Sequence, residues 1–185
     1  MNTDQRLSRR DLLFGFMNRI SKNIETIVVK TEFKSHSKGK DLAAMRADGF
    51  EAFRTGNWSA TVDLLRPYVK MFPDELATRA LLGLALYRLE LYLHAKIEFD
   101  RIRYQKNDHR LALIGQGLCN LRLGKDDKAI EAWQAYPTPT DDLIRSELER
   151  QIYNLSPDIE LPLDAVARAV EHFLSGRELE ILKES

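Results

Sequence analysis

The sequence predicts an all-α protein: an α-solenoid of stacked helix–turn–helix repeats behind an N-terminal amphipathic helix. Three observations predict it. First, five sets of positions recur at a step of 34: Gly49/Gly83/Gly117, Leu65/Phe99/Trp133, Tyr68/Ile102/Tyr136, Thr61/Ala95/Ala129 and Gly56/Glu90/Gly124. A fixed period of this length is the signature of stacked repeats. Second, the apolar residues within a unit fall at helical spacing, as in Leu82, Leu86 and Leu89, then Ala95, Phe99 and Ile102. Third, nine glycines and six prolines in 185 residues are too few for a fold of many turns.

The first element is "SRRDLLFGFMNRI" and its continuation. Ser8-Arg9-Arg10 resembles the start of a twin-arginine export signal. The apolar run that follows is only Leu12 to Met17, Asn18, Arg19 and Lys22 interrupt it, and no small-residue cleavage site comes after. Leu13, Met17, Ile20, Ile24 and Ile27 instead recur at steps of 4, 3, 4 and 3. That pattern predicts an amphipathic helix over 8–29, retained in the mature protein, with Ser8 as N-cap. Its apolar face has three candidate destinations: the first repeat or another copy, a partner protein, or a membrane surface. Residues 30–40 are expected to be a basic linker, so that 1–40 forms an N-terminal region.

Residues 41–143 hold the repeats, at about 42–75, 76–109 and 110–143. Each reads as two helices with a short break. "RTGNW" and "RLGKDD" place glycine where a helix end wants positive φ. A glycine inside a helix costs roughly 1 kcal/mol against alanine. Its recurrence inside each first helix therefore predicts a close helix–helix approach that a Cβ would block. Residues 144–185 carry two more amphipathic stretches. Ile144, Leu148, Ile152 and Leu155 share one face, as do Leu163, Val166, Val170 and Phe173. They are expected as capping helices, a degenerate fourth hairpin at the C-terminal end of the stack.

This pattern resembles the tetratricopeptide repeat family, whose 34-residue units carry a small residue in the first helix and a small–large–large pattern in the second. Pro73 closes the first unit where that family often has proline; Asn107 stands there in the second, and the third breaks early at Pro137. The family's glycine turn is replaced by "LELY" in the second unit. The resemblance implies a concave groove lined by the first helices. By register its lining is Arg46, Phe50, Phe53 and Arg54, then Leu84, Tyr87 and Arg88, then Leu118, Leu121 and Arg122. Arg54, Arg88 and Arg122 form a ladder at the repeat step, either for solubility or for acidic groups on a ligand. The family's carboxylate clamp of lysines and asparagines is not matched in its asparagines.

Charge balances overall, 28 basic against 28 acidic residues, and unevenly along the chain. Residues 1–40 carry nine Lys/Arg against four Asp/Glu, and residues 138–185 carry five against eleven. A basic head and an acidic tail can attract each other, although salt screens such long-range effects. One cysteine, Cys119, excludes an internal disulfide and fits a reducing compartment. It lies among apolar neighbours, as a packed thiol does. His36, His94, His109 and His172 form no metal-ligand pair, no Gly-rich phosphate loop exists, and acid pairs such as Asp126-Asp127 sit at helix starts. The expectation is no enzyme, no cofactor, no metal and no nucleic-acid ligand.

The function expected is a non-catalytic protein–protein interaction module, a scaffold, adaptor or assembly factor, holding a polypeptide segment with apolar anchors in the groove. The alternatives are a small secretion-type chaperone, or an accessory factor of a membrane or redox complex anchored by the leader. A cytoplasmic location is expected, with a membrane-associated or exported protein as the alternative.

Overall fold

The structure is a computed structural model that describes residues 35–137 and 143–183, with side chains from Asp41 onward. The chain divides into two units, Met1–Ala44 and Met45–Ser185; the second holds every contact given below. The helix expected over 8–29 lies outside the described residues.

Nine helices are described: α1 (Ser35–Arg54), α2 (Trp58–Met71), α3 (Leu76–Arg88), α4 (Tyr92–Gln105), α5 (Arg110–Arg122), α6 (Asp126–Gln134), α7 (Leu143–Asn154), α8 (Leu163–Leu174) and α9 (Glu178–Lys183). There is no strand among the described residues. Helix α1 takes in residues 35–40, which the sequence reading assigned to a linker. Its sequence, SHSKGKDLAAMRADGFEAFR, contains no proline and no β-branched residue, so nothing in its first turns forces the backbone out of helix.

From α2 to α7 each helix packs on its chain neighbour, and α3 also packs on α5. The protein is thus an α-solenoid of helical repeats: α1–α2, α3–α4 and α5–α6. The repeat period is visible in the backbone. Gly56, Glu90 and Gly124 all take positive φ, at 76°, 61° and 68°. Each closes its first helix with the same pair of bonds. In the second repeat Glu90 N–H donates to Tyr87 O at 2.9 Å and Leu91 N–H to Leu86 O at 2.9 Å. That six-to-one closure satisfies carbonyls the helix end would leave bare.

The glycine of each first helix faces the large side chain sixteen residues on. A methyl group at Gly83 would lie 2.7 Å from Phe99 Cε1, inside ordinary contact distance. Gly49 and Gly117 stand in the same relation to Leu65 and Trp133. Gly115 meets the other edge of the Phe99 ring, so this one side chain is clasped between α3 and α5 and joins two repeats. Leu65, Phe99 and Trp133 are wholly buried, and the Trp133 indole donates to Ile114 O at 3.3 Å. The propensity lost at each glycine is offset by the burial of a large side chain, worth roughly 1.5–3 kcal/mol.

The C-terminal part departs from the repeat. A regular fourth hairpin would set its first helix on α5, as α5 is set on α3. Here α7 packs on α6, and it is the second helix, α8, that packs on α5 as well as on α7. Arg145 of α7 donates to Tyr136 O at 2.9 Å and to Trp133 O and Gln134 O, taking up carbonyls at the end of α6. Gly176, at a φ of 81°, ends α8, and α9 returns against α5.

Candidate functional site

The site is the face presented by the first helices, where the sequence placed a ligand groove. Its lining divides into two parts. In the second and third repeats, Leu84, Tyr87, Leu118 and Leu121 are buried. They share one core cluster with Val166, Ala167, Val170 and Leu174 of α8 and Ile181 of α9. The groove is therefore filled there by the chain's own C-terminal hairpin. In the first repeat, Arg46 and Phe50 are half-buried, Phe53 is buried and Arg54 is exposed.

Charge follows the same division. Arg122 Nη2 donates to Glu171 Oε1 at 2.6 Å, and its other Nη pairs with Asp164. Its Nε donates to the Tyr87 hydroxyl oxygen at 3.2 Å, and the Tyr87 hydroxyl donates in turn to Glu171. Burial, reinforced by that bond to Glu171, pushes the Tyr87 phenol far above its usual range, so it stays a donor at any ordinary pH. Arg88 Nη2 donates to Glu178 Oε1 at 2.8 Å. Two rungs of the arginine ladder thus meet carboxylates of the acidic tail. The third, Arg54, bonds along its own helix among the described residues, to Glu51 at 2.7 and 2.9 Å. Arg46, above the Phe50 ring, donates to Thr78 Oγ1 at 3.2 Å and approaches Glu75.

At the edge of the hairpin a cavity of 430 Å³ remains open. Phe53, Arg54, Trp58 and Arg88 form one wall; Ser175, Gly176, Glu178 and Leu179 form the other. Phe53 and Trp58 meet edge to face at 5.3 Å, and the Arg88 guanidinium lies 6.0 Å from the Trp58 ring. The cavity combines aromatic walls with guanidinium groups, a chemistry suited to an apolar side chain next to a carboxylate.

The register named a basic and apolar lining for this face. It missed Asp164, Glu171 and Glu178, the acids that meet it, and Trp58, which builds the cavity. A signal for the acids was present: they stand seven residues apart, on the most acidic stretch of the chain.

A second cavity, of 310 Å³, lies among Lys96, Arg103, Gln116, Asn120, Lys125, Lys128 and Glu131 on the second-helix side. Most of its charge is met internally, Lys96 by Asp100 at 2.7 Å and Lys128 by Glu131 at 2.6 Å. Cys119 is wholly buried, and burial pushes its thiol well above the usual range, which suits packing rather than nucleophilic attack. His109 is buried at the N-terminus of α5, where its Nδ1 accepts from Ala112 N–H at 3.3 Å. Burial, then the charge of Lys106, holds its pKa down at about 4.

Among the described residues no helix is long and apolar enough to cross a membrane, and no group of three His, Cys, Asp or Glu side chains is placed to hold a metal ion. Neither a family model, nor a curated protein, nor a solved structure was found to match this chain.

Proposed function

We propose that this chain is a tetratricopeptide-like, non-catalytic interaction module that binds a polypeptide segment on the first-helix face. One observation carries the reading: that face already holds a helical polypeptide, α8–α9, by apolar side chains and by arginines at the repeat step. The face is thus chemically fitted to helix recognition, in which apolar anchors supply the affinity and charges set register. Such a module serves as scaffold, adaptor or assembly factor. Of the first-repeat lining, Arg54 is exposed, Arg46 and Phe50 are half-buried, and the buried Phe53 forms part of the cavity wall.

The test is site-specific photo-crosslinking in cells. A photoreactive amino acid at Arg54 is expected to give protein adducts, and one at Tyr104, a fully exposed side chain on α4, is not. No adduct at Arg54, or equal labelling at both positions, contradicts the proposal.

A further inference from the structure

The α8–α9 hairpin covers two of the three repeats, and that incompleteness bears on what the groove is for. Asp164 and Glu171 stand two turns apart on α8 and both meet Arg122, and Glu178, seven residues further on, opens α9 and meets Arg88. Beside the α8 acids run Val166, Ala167, Val170 and Leu174, all buried. On the receiving side, Arg54, Arg88 and Arg122 recur at the repeat step, and only the last two have an acid of the hairpin as partner. The hairpin turns back at Gly176, beside the open cavity of Phe53, Arg54 and Trp58. Ser175 and Gly176, at that turn, form part of the cavity wall. The groove therefore has more recognition chemistry than its internal occupant uses.

We infer that α8–α9 is an intramolecular stand-in for the groove's true ligand, an acidic amphipathic helix of another protein, which lands in the Phe53–Trp58 cavity and displaces the hairpin. This rests on the groove reading above and adds the partner's chemistry and the regulation of the site. The ligand carries carboxylates two turns apart, aliphatic residues beside them, and a further apolar side chain and carboxylate for the first repeat. The contacts at Arg54, Phe53 and Trp58 are what it gains over the hairpin, and only such a difference can shift the equilibrium between closed and open groove. Until it binds, the hairpin lowers the groove's apparent affinity by the fraction of time the groove is closed. A basic ligand is disfavoured by the same arginines. The same preference counts against the chain's own leader as ligand, with nine basic residues against four acidic ones over residues 1–40.

The experiment uses the full-length chain and two labelled synthetic helices, read by fluorescence anisotropy. The first probe has the sequence of residues 162–183. The second is the same peptide with Ser175→Ala and Gly176→Ala, so that the helix continues. Probe affinity is measured on the wild-type chain and on the full-length triple variant Asp164→Asn, Glu171→Gln, Glu178→Gln, with circular dichroism to show retained helix. The variant is expected to bind the first probe about tenfold more tightly than the wild type does, because its own hairpin competes less. Adding Arg88→Gln and Arg122→Gln should remove that gain. The second probe is expected to bind more tightly than the first, and Arg54→Gln should cancel the difference.

Equal affinity of wild type and triple variant overturns the displaceable stand-in, and equal affinity of the two probes overturns the first-repeat contact. A wild-type dimer in light scattering that dissociates on the triple substitution makes the occupant a second copy's hairpin, and overturns a foreign ligand. Adducts at Arg54 with no binding of either probe sink this inference alone; absence of adducts sinks the groove reading beneath it.

Discussion

Two interfaces meet on the same first helices, and they are built differently. Between the helices of a repeat, a ring enters a slot that only glycine leaves open: Phe99 between Gly83 and Gly115, Trp133 against Gly117. Between α5 and α8, one face of an amphipathic helix lies on a row of aliphatic and tyrosyl side chains, flanked by ion pairs. Burial supplies most of the free energy in both, since an ion pair at this exposure adds on the order of 1 kcal/mol against roughly 1.5–3 kcal/mol for each buried Val or Leu. The difference lies in what could replace each partner. No other helix reproduces the slot of Phe99, whereas any helix with acids two turns apart and aliphatics beside them reproduces the seat of α8. The repeats are a fixed frame, and the hairpin is an exchangeable occupant.

Substitutions separate the two. Phe99→Ala should have the largest effect, about 3–5 kcal/mol, because it empties a slot that two glycine backbones keep open. Chemical denaturation measures it, and an unchanged midpoint would mean that the ring is no keystone. Acid should act on the frame through His109. Its folded pKa, held down at about 4 by burial, lies below the ordinary imidazole value of 6.5. Between those values the unfolded chain takes up a proton that the folded chain refuses. The stabilisation is therefore complete above about pH 6.5 and is lost as pH falls to about 4, up to about 3 kcal/mol. His109→Asn, which keeps an N-cap acceptor, should flatten that part of the pH profile; an identical slope would clear His109 of the effect.

Arg79 is the frame's buried cation. It bonds Glu98 at 2.6 Å and the carbonyls of Val69 and Pro73 at 3.3 and 3.2 Å, tying α3 to α4 and to the end of α2. Arg79→Met should cost about 2–3 kcal/mol, less than a fully orphaned buried pair, because Arg101 still holds Glu98 at 2.7 Å. Arg122→Gln acts on the seat instead. A loss of about 1–2 kcal/mol is expected, shrinking as salt is added, whereas the Phe99 effect should not depend on salt. Equal salt dependence in the two variants would erase the distinction between frame and occupant. The smallest expected change is a gain. Glu90 holds a left-handed backbone that its repeat counterparts give to glycine, and Glu90→Gly should stabilise the frame by about 1 kcal/mol in thermal melts.

The frame was legible in the sequence because a repeat writes itself locally. Each of Gly49, Gly83 and Gly117 stands sixteen residues before the large side chain it meets, and the shared turn position marks three left-handed residues even where Glu90 hides the glycine. The lining named for the groove came from the same register. Its cover did not. Periodicity says which face of α8 is apolar and nothing of which surface it meets, and the sequence reading set it at the C-terminal end of the stack. The structure pairs charges there across long sequence separations, Asp164 and Glu171 with Arg122 and Glu178 with Arg88, which periodicity does not show. The sequence reading noted the acidic tail but weighed it against the basic leader rather than the arginine ladder. Arg79 was invisible for a similar reason, since its partners lie on two other helices.

Native-state hydrogen exchange on the full-length chain tests the central claim most directly, by comparing the amides of α8 and α9 with those of α3 to α5. The account predicts that α8 and α9 open together, at a lower free energy than the frame, and more readily still in the Asp164→Asn, Glu171→Gln, Glu178→Gln variant. Exchange of α8 and α9 only through global unfolding, at the same free energy as α3 to α5, would make the hairpin part of the frame and contradict it.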